Sequence, residues 1–358
     1  MLLDPLRRAA RRLDSAYTED LVRVHRAADG TGAWTPVVSV PRIGRTTAPR
    51  IAVVAHAFYP ELLEQLRRAL DHLPPRPDVF VSVPSKEIRI QALAVLERLD
   101  AGLLDVRVVD NRGRDIAPKY VTFADVYGRG YDLLLFLHTK KSLTADFGDD
   151  WRDQLFRSLV GSPEVVDGVI GMFAADPRLG VVAPGHHEAI GRTTGWDGNY
   201  SEARRLARRA GLKVHRWAAP DFPSGSMFWA RPEALVDLTG LGLRIEEFPA
   251  ETGQVGFTVM HALERMVFVA AEHAGFHSVM VTDPEAPAAT APNAASARVS
   301  AAVARRPAPP VFIAAGLLTS ARLVRTAVRR VGRAASDAVS KRVYALPGRF
   351  ARGSAQHR

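Results

Sequence analysis

Three carboxylates, Glu246, Glu247 and Glu251, stand just ahead of a run with helical spacing in "RIEEFPAETGQVGFTVMHALERM". A carboxylate in a pocket that withholds water can serve as a general base. Acids ahead of a helix also suit its dipole, so a purely structural role stays open. Upstream, "DNRGRDIAP" offers Gly113 for a tight turn or close approach to a ligand, with Arg112 and Arg114 suited to phosphate or carboxylate. Asp115 there can bind hydroxyls or orient an arginine, and a charged surface turn would use the same residues. In "YDLLLFLHTKKS", five apolar residues run into His138, Thr139, Lys140 and Lys141. The two lysines could neutralise a diphosphate and His138 could hold metal or phosphate; a solvated lysine pair and a satisfied histidine is the alternative. In "DFPSGSMFWARPEAL", Ser224, Gly225 and Ser226 are small enough to admit a substrate against the backbone, or they form an ordinary loop. Trp151, Trp196 and Trp217 could stack on a sugar ring, although tryptophan usually packs in a core. Glu264 and Arg265 read as a salt-bridge pair, and His261 fits either core or site.

The elements that would position these residues alternate from Ile51 onward. "IAVVAHA", "DVFVSV", "DVRVVDN", "YDLLLFLHTKK" and "LGVVAP" are strand-like runs. Between them "PELLEQLRRALDHL", "SKEIRIQALAVLERL" with Ser85 as N-cap, "KYVTFADVYGRG", "DWRDQLFRSLV" and "EVVDGVIGMFAAD" have helical spacing. Such alternation predicts βαβ units and a mostly parallel α/β sheet flanked by helices. Ligands of such sheets gather at the carboxyl ends of the strands, where "NRGRD" and "HTKKS" both fall. Residues 186–223 read as loops around one basic helix, "SEARRLARRAG". "SGSMFWA" is strand-like, "RPEALVDL" is helical, and "TVMHALERMVFVAAEHAG" is a long helix. The expected organisation is an N-terminal helical extension over 1–50, a sheet domain over 51–280, an Ala/Pro-rich linker over 281–310 and a basic amphipathic tail over 311–358.

Composition narrows the function classes. The 358 residues are 47% hydrophobic and 24% charged, and contain no cysteine, which excludes disulfides and cysteine-based metal or nucleophile sites. The net charge is +10, but residues 305–358 carry twelve Lys/Arg and one acid and residues 1–50 nine Arg and five acids, leaving 51–304 at −5. A nucleic-acid-binding domain would want the basic stripe on the folded unit, so no nucleic-acid partner is expected. Neither a signal-peptide pattern nor an apolar run of about 18 residues is present, so a cytoplasmic location is expected.

Taken in order, "NRGRDIAP", "HTKKS", "PSGSMFWARPEAL" and "FPAETGQVGFTVMHALER" resemble the rhamnan synthesis protein F family over roughly 51–275. That resemblance implies a bacterial glycosyltransferase building rhamnose-containing cell-surface polysaccharide. The layout is also similar to the GT-A glycosyltransferases, a Rossmann-like sheet using a nucleotide-diphosphate sugar. On that comparison His56 and Tyr59 in "AHAFYPEL" flank the nucleotide. "HTK" falls where an Asp-x-Asp metal motif is usual, and no acid stands at 138–140. Mg or Mn therefore stays open as a cofactor.

The resemblance implies inverting transfer of rhamnose, with dTDP-rhamnose as donor and a lipid-linked glycan as acceptor. Glu247 would be the base, with Glu246 or Glu251 in reserve. Lys140, Lys141 and Arg114 would stabilise the departing diphosphate, Asn111 and Asp115 would hold hydroxyls, and Ser224, Gly225 and Ser226 would line the acceptor side. The basic tail would then meet an anionic membrane surface, placing the protein peripherally on the inner face. The alternative is a non-catalytic sugar-nucleotide-binding or scaffold subunit of an assembly complex.

Overall fold

The computed structural model describes residues 37–38, 48–139, 148–187, 195–216, 220–251 and 256–284. The chain divides into two compact units, Met1–Ala297 and Arg298–Arg358, and every described residue belongs to the first. Lys140, Lys141, Trp217, the basic tail, nearly all of the linker and most of the N-terminal extension lie outside the described residues.

Among the described residues eight strands form one sheet: β1 (Val37–Val38), β2 (Ile51–His56), β3 (Asp78–Val83), β4 (Leu103–Val108), β5 (Leu133–His138), β6 (Leu179–Pro184), β7 (Phe228–Ala230) and β8 (His277–Val281). Their order is β1-β8-β6-β7-β5-β2-β3-β4. β7 runs antiparallel to β5 and β6, and every other pairing is parallel. β2, β5 and β6 are buried along their whole length, which explains their unbroken apolar runs: a strand covered on both faces has no solvent side to mark.

The pleat divides the strand residues between two layers. Ile51, Val53, Ala55, Val79, Val81, Leu133, Leu135 and Leu137 pack under α1 (Leu63–Leu70), α2 (Lys86–Leu96), α3 (Gly148–Val160) and α4 (Pro163–Ala175). Ala52, Val54, Phe80, Leu134 and Phe136 pack on the other side with α5 (Tyr200–Arg209), α6 (Val236–Thr239) and α7 (Val259–His273). Serine caps start two of these helices: Ser85 Oγ accepts from the Ile88 amide at 3.2 Å and Ser162 Oγ from that of Val165 at 3.3 Å. Among the described residues no single helix is long and apolar enough to cross a membrane.

Three local readings change. The segment expected to be one helix after Lys119 is instead a π-type turn, Pro118–Thr122, followed by a 3-10 turn, Ala124–Gly128. Phe123 between them leaves helical geometry (φ −114°, ψ 28°) and is fully buried in the core. The strand expected over "SGSMFWA" contracts to Phe228–Ala230, because the preceding polar residues are bonded by side chains instead of a ladder. β8, and β1 beside it within the N-terminal extension, were not expected.

The chain reverses its direction of growth across the sheet between β2 and β5. β3 and β4 extend from one side of β2, and β5 then returns to the other. Such a switch point opens a crevice at the carboxyl ends of its two strands.

Candidate active site

Register decides what lines that crevice. His56 ends β2 opposite His138, which ends β5, and on its other side lies opposite Ser82 of β3. All three have the same parity as Val54, Phe80 and Phe136, so they project toward the α7 side of the sheet. β7 is antiparallel, with Phe228 opposite Phe136 and Ala230 opposite Leu134. The turn that precedes it, Ser224–Ser226, is thereby delivered to the same edge as His138.

Hydrogen bonds hold both histidine rings in place. His56 Nδ1 is hydrogen-bonded to Ser82 Oγ at 2.9 Å, and the same hydroxyl lies 3.3 Å from the Ala55 carbonyl, which holds the ring with its Nε2 edge turned away from Ser82. His138 Nε2 lies 2.6 Å from the Gly225 carbonyl, which can only accept, so that nitrogen carries a proton. Burial lowers the His56 pKa from 6.5 to about 4; the His138 and Lys119 charges add to this and Asp115 opposes it. His56 is therefore a neutral imidazole near pH 7.

Gly113 makes the turn that brings in the next group. Its φ is +69°, and a Cβ there would lie 2.5 Å from Ala117 Cβ and 2.6 Å from the Phe248 ring, so only glycine fits. Arg114 follows at φ +51°, and Asp115 then faces the two histidines. Burial pushes the Asp115 carboxyl up, but Lys119, His138 and His56 together hold it well below the usual carboxylate range. Lys119 is the residue that sequence reasoning missed. Only 2% exposed, it donates to Asp115 Oδ2 at 2.7 Å and to both the carbonyl and the hydroxyl of Ser226.

Glu251 reaches the same region from the far side of the chain. Its amide bonds the Asn111 carbonyl at 3.4 Å beside an Arg112–Ala250 bridge, and its Oε2 pairs with Arg114 Nε at 3.2 Å. Its Oε1 is buried and has no hydrogen-bond partner among the described residues. Glu247 is placed differently. It caps its own 3-10 turn by accepting from the Arg244 amide (3.1 Å) and pairs with Arg209 (2.7 Å). Burial would raise its pKa, but Arg209, the Arg244 amide and Arg205 hold it below normal. Glu246 is exposed beside it. The structure thus brings Asn111, Arg114, Asp115 and Glu251 into one neighbourhood and ties Glu247 to α5.

His56, Asp115, His138 and Ser226 meet around Lys119. Tyr59, half-buried just after β2, has its amide bonded to Thr139 Oγ1 at 3.0 Å, which joins the ends of β2 and β5. Ser224, Gly225 and Ser226 lie inside the fold, not on an open wall. Ser224 Oγ bonds His186 Nδ1 (2.9 Å), and the Gly225 amide donates to Glu264 Oε1 (2.9 Å). Trp151 packs against this turn, and Trp196 is buried with its indole N–H on the His215 carbonyl (3.0 Å). Glu264 lies 3.6 Å from Arg265, as the pairing reading expects, and His261 bonds Thr258 Oγ1 (2.8 Å).

Among the described residues no group of three or more His, Asp or Glu is placed to hold a metal ion. The ammonium of Lys119 lies inside the polar cluster and would repel a divalent cation, so these residues do not fit one.

Comparison with known proteins agrees with the motif pattern. A family model described as rhamnan synthesis protein F matches residues 15–276. Two curated relatives, each called "Uncharacterized protein WxcX" and from two strains of Xanthomonas campestris pv. campestris, are 34% identical over 237 residues, 64% of this chain and 32% of theirs. The chain thus spans about a third of the length of the curated relatives it matches. With the family model covering well over half of its length, this chain belongs to the rhamnan synthesis protein F family.

Proposed function

We propose that this chain is a GT-A-like glycosyltransferase of cell-surface polysaccharide synthesis, transferring rhamnose with inversion from dTDP-rhamnose to a lipid-linked glycan. The observation that carries the reading is the switch point in strand order, where His56, Asp115 and His138 converge at strand carboxyl ends and Glu251 stands beside Arg114. Family membership supplies the polysaccharide context.

In the proposed step Glu251 accepts the proton of an acceptor hydroxyl as that oxygen attacks the anomeric carbon. The bond from that carbon to the diphosphate breaks, and the nucleotide leaves as an anion. Glu251 is preferred to Glu247 because its Oε1 is buried without a partner among the described residues, whereas Glu247 is engaged by Arg209 and a backbone amide. Arg114 orients Glu251 through Nε and has its other guanidinium nitrogens available for the diphosphate, with Lys140 and Lys141 assisting. Asp115 Oδ1, Asn111 and His56 Nε2 take hydroxyl or N–H donors of the nucleotide sugar. The rigid Ser224–Ser226 turn backs the acceptor side. The basic tail keeps the enzyme at the anionic inner membrane surface.

A panel of nucleotide sugars, incubated with the purified full chain with and without EDTA, tests this reading. Hydrolysis or transfer with dTDP-rhamnose that persists in EDTA is expected. Binding without turnover of any donor would mark a sugar-nucleotide-binding subunit instead.

A further inference from the structure

Lys119 presents an unusual balance for a buried ammonium. A lysine has three N–H donors, and here three acceptors meet them: Asp115 Oδ2, the Ser226 carbonyl and Ser226 Oγ. The faces of Phe136 and Phe228 lie 5.7 Å and 5.6 Å from the nitrogen and close the box on its apolar side. No donor of Lys119 is left for a ligand, so it does not touch one. Its partners differ in this respect. Asp115 uses only Oδ2 on Lys119, and among the described residues its Oδ1 has no hydrogen bond. Ser226 sits at φ +60° directly after Gly225 at φ +85°, two adjacent left-handed residues in one turn. A non-glycine residue in that region is strained and persists only when its surroundings over-determine it. Here Lys119, His138 and Glu264, from three separate elements, each hold one point of the turn.

We infer that Lys119 is the positioning residue of the site: an internal counter-ion that keeps Asp115 an anion with Oδ1 turned to the crevice, and locks the Gly225–Ser226 turn against β5. This deepens the proposed function and rests on that reading for the identity of the ligand. The charged or titratable groups facing Asp115 are His56 from β2, His138 from β5, and Lys119 and Tyr120 from its own turn, the last held as a neutral phenol by burial and by Asp115. Of these, Lys119 supplies the permanent positive charge, and it is the one hydrogen-bonded to the carboxylate.

The test uses the full chain with aspartate labelled at its carboxyl carbon, read by NMR. The Asp115 resonance is assigned by its loss in Asp115→Asn. In the wild type it is expected to stay ionised down to pH 4. In Lys119→Met, similar in length but neutral, Asp115 loses its counter-ion and is expected to titrate at or above the ordinary carboxylate value of about 4. Affinity for dTDP-rhamnose, measured by calorimetry, should fall about tenfold per pH unit below the Asp115 titration midpoint in this variant and stay level over the same range in the wild type. An Asp115 titration unchanged by Lys119→Met overturns the inference. Should that variant fail to fold, Asp115→Asn/Lys119→Met removes both charges together; it is expected to fold and not to bind, and restored binding overturns the inference. If the wild type binds no nucleotide sugar, the proposed function fails, and the carboxyl titration still decides the role of Lys119.

Discussion

Replacing Gly113 by alanine probes the turn that brings Arg114 and Asp115 to the crevice. Two costs follow from its geometry. At φ +69° an alanine pays for left-handed backbone, about 1–2 kcal/mol. Its Cβ would also press within 2.5 Å of Ala117 Cβ and 2.6 Å of the Phe248 ring, both fully buried, and overpacking of this kind costs about 1–3 kcal/mol. A less flexible unfolded chain returns about 0.4–1 kcal/mol. The net destabilisation is roughly 2–4 kcal/mol, a large share of the ~5–15 kcal/mol that holds a typical domain together. Urea unfolding measures it, with the slope checked for constancy. Gly128→Ala is the control, because its Cβ meets nothing within 4 Å and its φ is not left-handed; its effect should stay within about 0.5 kcal/mol. A Gly113→Ala loss no larger than the control would refute the steric reasoning. Turnover under folding conditions should fall further than stability does, since a displacement of about 1 Å at a reacting group can cost a hundredfold.

His56 gives a pH signature. Its folded-state pKa of about 4 lies below the unfolded 6.5, so between these values the unfolded chain binds more protons and stability rises with pH. The contribution, roughly 3 kcal/mol, is complete above about pH 6.5 and is lost as pH falls toward 4. His56→Gln should flatten that slope in unfolding measurements, and parallel wild-type and variant curves would count against a buried neutral imidazole. Ser85→Ala removes the cap of α2 and should cost about 1 kcal/mol in thermal or urea unfolding. Deleting residues 305–358 should release the protein from anionic phosphatidylglycerol vesicles in cosedimentation, and unchanged binding would remove the tail from the account.

The strands and most helices are legible because burial on both faces leaves continuous apolar runs, and because Ser85 announces the helix it caps. The polar strand ends are legible for a similar reason: His138 and Asp115 break off apolar or turn patterns where a parallel sheet opens. Lys119 is not legible. A lysine in "APKY" reads as a solvated charge, and only the fold brings Asp115 and Ser226 around it to satisfy all three donors. The adjacency of His56 and His138 is equally hidden, since the two lie 82 residues apart in the chain and become direct partners only through the switch in strand order. The family resemblance makes Glu247 of "RIEEF" the expected base, with Glu246 or Glu251 in reserve. The local chemistry of Glu246 and Glu247 is that of a capped turn, with Glu247 satisfying the Arg244 amide and α5 supplying the arginines. Glu251 differs from them only through what surrounds it, which the spacing of the acids could not reveal.

The choice of base is tested most directly by single-turnover transfer from dTDP-rhamnose with Glu251→Gln and Glu247→Gln side by side. Loss of a general base typically costs about 10²–10⁴ in rate. The account predicts a loss of that size in Glu251→Gln with donor affinity retained, and near wild-type transfer in Glu247→Gln wherever the variant is folded. Full activity in Glu251→Gln, or collapse of transfer in a well-folded Glu247→Gln, would contradict it.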